Sequence, residues 1–107
     1  MIKLTIDGIE IMIGKNKFEN QEILSNMNNK DTWFHIYNLQ RPHLMAIGSY
    51  KNFSKKQLYL IALELKKNSK YKKINNIEIM YTLRENIILT NTPGKVIVEE
   101  GIKIINV

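Results

Sequence analysis

The chain is 107 residues long, 44% hydrophobic and 24% charged, with no cysteine and a formal net charge of +6. A domain of this size buries roughly 65% of the surface its unfolded chain exposes and folds without staples, and the missing cysteines exclude disulfides, thiolate metal sites and a thiol nucleophile. No run approaches the roughly 18 apolar residues of a membrane span and the first residues lack an apolar signal core, so the expectation is one soluble, cytoplasmic domain over 1–107.

Ile2, Leu4 and Ile6 alternate with polar residues, Asp7-Gly8 signals a two-residue hairpin turn, and Ile9, Ile11 and Ile13 alternate again. Pairing Ile6 with Ile9 sets Leu4 against Ile11 and Ile2 against Ile13, which puts all six apolar side chains on one face. Gly14 ends the second strand. Lys15 to Glu19 read as a polar connection to a short helix that Asn20 caps, with Ile23, Leu24 and Met27 turned inward.

The stretch Asp31 to His43 holds the only tryptophan, both histidines and one of the two arginines. From Thr32 to Asn38 it reads as a strand whose period of two places Trp33, His35 and Tyr37 on one face and Phe34 and Ile36 on the other. Leu39 to Pro42 reads as a turn and His43 to Ile47 as a second strand. A four-residue loop pairs Asn38 with His43 and turns His43 away from His35; a five-residue loop pairs Tyr37 with His43 and puts both histidines on the Trp33 face. The sequence leaves both registers open.

Ser54-Lys55-Lys56-Gln57 has the spacing of a capping box, opening a helix that runs to about Asn68 with Leu58, Ile61, Ala62 and Leu65 as its core stripe. Leu60 and Leu63 fall on the outer side. Beyond Ile74 the chain is rich in strand residues: Ile77, Ile79 and Tyr81 alternate, Ile87 to Leu89 continue, Asn91 to Gly94 turn, and Val96 to Val98 pair with Ile102 to Val107 about Glu100-Gly101. The fold expected is α+β, a mostly antiparallel sheet with one long and one short helix packed against it.

Lysine supplies 14 of the 16 basic residues, and Lys51 to Lys73 carry eight lysines against the single acid Glu64, a local charge of +7. Lys66, Lys67 and Lys70 suit a helix C-terminus, but Lys72 and Lys73 lie beyond it, and Lys51 to Lys56 sit at the helix's positive end. A surface that tracks phosphates accounts for both groups. No serine stands in a nucleophile elbow, no acid pair is placed for general acid–base work, and His35, His43 and Asp31 make only an incomplete metal set. No catalytic residue, metal or cofactor is expected.

The string Asp31-Thr32-Trp33-Phe34-His35, with His43 eight residues on, resembles the signature of the NFACT RNA-binding domain. Gly14-Lys15-Asn16-Lys17-Phe18-Glu19-Asn20, Asn75 to Thr82, Pro93-Gly94 and Ile104 to Val107 extend the likeness along nearly the whole chain. The order is most similar to stand-alone eukaryotic coiled-coil domain-containing members, without their coiled coil. The resemblance implies an RNA-binding role, in a family that attends to stalled ribosomes and recruits transfer RNA, and it carries over Gly14, Lys15, Asn16, Asp31, Trp33, His35 and His43. Where many relatives read Pro-Gly-Ser-His this chain has Gln40-Arg41-Pro42-His43, and Ile47 stands where an arginine often follows.

The expected function is a non-catalytic module that binds RNA or transfer RNA, linked to translation or ribosome-associated quality control, with DNA as an alternative ligand. Its candidate residues are Lys15, Asn16, Asp31, Trp33, His35, Tyr37, Arg41, His43, Lys56, Lys66, Lys67, Lys70, Lys72 and Lys73. An exposed Trp33 face would offer rings to unstacked bases. The competing readings are an adaptor that docks on a ribosome-associated protein through Leu60 and Leu63, and a weaker one of a metal-dependent hydrolase.

Overall fold

A computed structural model describes all of residues 1–107. The Asp7-Gly8 turn joins β1 (Ile2–Ile6) to β2 (Ile9–Gly14) in the expected register, with Ile6 opposite Ile9 and Ile2 opposite Ile13. Both turn residues have positive φ, which this tight turn requires. Next come α1 (Lys17–Asn26), β3 (Thr32–Ile36), β4 (His43–Ala46), α2 (Lys55–Lys67), β5 (Glu78–Leu83), β6 (Ile87–Leu89), β7 (Val96–Val98) and β8 (Lys103–Asn106). Six strands form one antiparallel sheet in the order β1-β2-β4-β3-β5-β8. β6 and β7 form a separate two-stranded ribbon. No helix is long and apolar enough to cross a membrane.

The sheet has a core on each face. Beneath α2 lie Ile11, Ile13, Phe34, Leu44 and Ile79 with Ile61, Ala62 and Leu65 of the helix. On the opposite face Trp33 and Met45 pack against Ile23, Leu24 and Met27 of α1 and Ile87 of the ribbon. The α2 stripe and its Ser54–Gln57 capping box are as expected, with both reciprocal hydrogen bonds formed at 2.8 and 3.0 Å. Leu60 and Leu63 are partly buried, and Tyr59 is the exposed apolar side chain of that helix.

Three expectations are corrected. α1 begins three residues before Asn20: Asn16 is the cap, its side chain accepting from the Phe18 and Glu19 amides. Asn20 is buried, and its Oδ1 accepts from the His43 amide at 3.4 Å. Gly14, opposite His43 in β2, permits this, because a Cβ there would collide with the Asn20 side chain. β7 does not pair with β8; it pairs with β6 while β8 adds to β5 at the sheet edge, since a pair about Glu100-Gly101 would leave the β5 edge unpaired and the Trp33 face uncovered. Finally, β3 stops at Ile36, and Asn38 takes a left-handed φ of 64°.

Candidate nucleic-acid interface

β3 and β4 pair His35 with His43 and Trp33 with Met45, so the span closed by the last pair runs from Ile36, still in β3, to Pro42. It is longer than either expected loop but shares the parity of the five-residue one, and both histidines therefore lie on the Trp33 face. Their ring centroids are 4.6 Å apart, and the His35 ring stacks on Trp33 at 5.1 Å.

The hydrogen bonds fix the protonation of this cluster. Trp33 Nε1 donates to His43 Nδ1 at 3.2 Å, so the neutral His43 ring carries its proton on Nε2, which donates to the Gln40 carbonyl at 3.2 Å. His35 Nε2 reaches the same carbonyl at 3.1 Å. A carbonyl only accepts, so His35 is protonated there too, and its buried Nδ1 is a bare acceptor without a partner. Burial holds the His35 pKa below its ordinary value against the opposing Gln40 bond. His43 falls to about 3, through burial first and the neighbouring His35 second. Both rings are neutral props, and what they prop is the Asn38–Arg41 loop.

Asp31 supports the other end of β3. Its Oδ2 accepts from the Asn28 amide and its Oδ1 from the Gly48 amide, both at 2.9 Å. It stands four positions before His35, roughly 13 Å at about 3.3 Å per residue, so the three do not converge as metal ligands. No three His, Asp or Glu side chains anywhere in the chain do.

Two clefts flank the propped loop. One, of about 710 Å³, lies between the loop, the start of α1 and the ribbon turn; its cations are Lys17, Arg41 and Lys95, and Tyr37 and His35 form part of its wall. The other, of about 590 Å³, lies between the loop and the end of α2; its cations are Lys15, Arg41 and Lys70. Neither is lined by a carboxylate. The ribbon turn is seated on α1: the Gly94 amide donates to Gln21 Oε1 at 3.1 Å, and a Cβ on Gly94 would come within 3.0 Å of Lys17.

The structure thus gathers Lys15, His35, Tyr37, Arg41, His43 and Lys70 around one loop. Trp33 is 1% exposed, which corrects the idea of an open stacking platform: its face is filled by α1 and the ribbon, and the ring positions the histidines instead. Lys66 is 8% exposed and donates to the Val107 carbonyl at 3.1 Å, which removes it from the outer lysine surface. Lys67 pairs with Glu64 at 3.7 Å. Lys56, Lys72 and Lys73 are exposed and line neither cleft, and Asn16 is committed to its capping bonds. Sequence reasoning missed Lys17 and Lys95, although Lys17 stands within the Gly14–Asn20 segment and Lys95 beside Pro93-Gly94.

Comparisons with known proteins agree with this architecture. The chain is 32% identical over 82 residues, 72% of its own length, to coiled-coil domain-containing protein 25 of Danio rerio, of which the match covers 40%. Its fold is that of the C-terminal part of the fibronectin/fibrinogen-binding protein from Streptococcus suis, with a TM-score of 0.85 at 22% identity over 98% of this chain and 43% of that one. The chain therefore spans less than half the length of either relative. The NFACT protein RNA binding domain matches residues 1–104, and the chain belongs to that family.

Proposed function

We propose that this domain is a non-catalytic RNA-binding module that holds the phosphate backbone with the cations around the Asn38–Arg41 loop. Transfer RNA is the preferred ligand, and translation or ribosome-associated quality control in the cytoplasm is the setting. The observation that carries this reading is the pair of clefts on either side of one loop, each with three cations and no carboxylate. Close phosphates attract such an arrangement, and each contact releases counterions and makes affinity fall with salt. Family membership favours RNA over DNA.

The test is binding of purified protein to labelled transfer RNA and to duplex DNA across a salt series, with Arg41→Ala beside it. Transfer RNA is expected to bind more tightly than DNA, with an affinity that falls as salt rises, and Arg41→Ala is expected to lower the salt slope by about one phosphate contact. Absence of transfer RNA binding at moderate salt, or a slope unchanged by Arg41→Ala, would overturn the proposal.

A further inference from the structure

The two clefts differ in one respect that matters for the ligand. The cleft at the ribbon turn has an exposed aromatic wall: Tyr37 is 51% exposed although it directly follows a buried strand. Its amide is bonded to the Glu78 carbonyl, which fixes the backbone of this residue while its ring stands free. Beside the cleft, Phe18 is 66% exposed, and the Lys17 ammonium lies 5.2 Å from its ring centroid. Neither ring contributes to either core. The α2-side cleft has cations but no aromatic residue.

A concave site of about 710 Å³ falls within the roughly 300–1,000 Å³ of small-ligand pockets, large enough for a nucleotide and far too small to enclose a double helix. In a duplex every base is stacked on its neighbours, so a ring at the cleft wall has nothing to stack on; an unpaired base presents both faces. From this we infer that the cleft bounded by the Asn38–Arg41 loop, the start of α1 and the ribbon turn takes an unpaired nucleotide of an RNA strand. The base stacks on Tyr37 and the flanking phosphates are held by Lys17, Lys95 and Arg41. The lone-phosphate contacts of the other cleft then continue the same strand. This rests on the RNA-binding reading above and adds to it the strand state of the ligand and the residue that reads it.

The experiment uses fluorescence anisotropy with a labelled 12-nucleotide single-stranded RNA and the same sequence annealed into a 12-base-pair RNA duplex. Each is titrated with the wild-type protein, Tyr37→Ala, Tyr37→Phe and Lys17→Ala/Lys95→Ala. Expected is a loss of about tenfold in affinity for the single strand with Tyr37→Ala, the scale of one base–aromatic stack, with retention in Tyr37→Phe and less than about twofold change for the duplex. The lysine pair should weaken both ligands and flatten the salt dependence. If Tyr37→Ala weakens strand and duplex alike, or neither, the unpaired-nucleotide site is overturned while RNA binding stands. If the wild type binds neither ligand, the RNA-binding reading falls with it. Unchanged melting temperature in the Tyr37 variants excludes a folding defect as the cause of a loss.

Discussion

His35 and His43 face each other across β3 and β4, and both present Nε2 to the single carbonyl of Gln40, at 3.1 and 3.2 Å. Two side chains in adjacent strands thereby hold the loop that separates the two cationic clefts. The loop's position is a property of the sheet rather than of the loop's own residues.

Acid should loosen this arrangement. His43 has a folded pKa of about 3 against an ordinary 6.5, and His35 is shifted in the same direction. As pH falls from 6.5 towards 3 the unfolded chain takes up protons that the folded chain refuses, so stability is full above about 6.5 and lost below it. The loss is expected at up to about 1.4 kcal/mol per pH unit for His43, with His35 acting in the same direction. Urea midpoints at pH 7.5, 6 and 5 check this, and His43→Gln is expected to be less stable at pH 7.5 but to show a flatter pH dependence.

Trp33→Phe removes the donor to His43 Nδ1 and part of a fully buried ring. The expected cost is about 2–4 kcal/mol, combining an unsatisfied buried acceptor with a small cavity. Denaturant unfolding measures it. At a temperature where the variant is folded, RNA affinity should fall by less than in Arg41→Ala, because the indole is sealed from any ligand.

Gly14→Ala drives a methyl group into Asn20 and through it into the His43 amide contact. We expect a loss of about 1–3 kcal/mol, the range for forcing atoms into a packed site, seen as a lower urea midpoint with unchanged slope.

Lys66 and Lys70 are four residues apart in sequence and should behave oppositely. Lys66→Ala gives up a bond to the Val107 carbonyl and is expected to cost about 1–3 kcal/mol of stability with little change in the salt slope of RNA binding. Lys70→Ala, at an exposed cleft position, is expected to keep the melting temperature and lower that slope by about one.

What was legible in the sequence was local. The β1–β2 register follows from Asp7-Gly8 and strict alternation, and the start of α2 from Ser54 and Gln57 three residues apart. What was hidden depends on partners distant along the chain. β6, β7 and β8 all carry strand-forming residues, and nothing within them says which neighbour each will choose. Consecutive Trp33 and Phe34 put an apolar ring on each face of β3, and both faces are dry because α1 and the ribbon, which no local pattern places there, cover the second. A lysine run reads as a surface, and Lys66 departs from it only because a carbonyl 41 residues away lies within reach. For the candidate site, the sequence pointed to the Asp31 to His43 stretch and to Lys15 and Lys70, but not to Lys17 and Lys95, which α1 and the ribbon turn bring to the loop.

The shared Gln40 carbonyl has a consequence for how binding responds to temperature and to loop mutation. A loop held from beneath by two neutral rings has already given up its conformational freedom when the protein folds, so an incoming strand has little of it left to order. Affinity at this loop should therefore be governed by what its side chains touch and be insensitive to substitutions that merely stiffen the backbone. By the same logic, a ligand that engages the loop adds its own grip to the two rings and slows hydrogen exchange in β3 and β4, the strands that carry them.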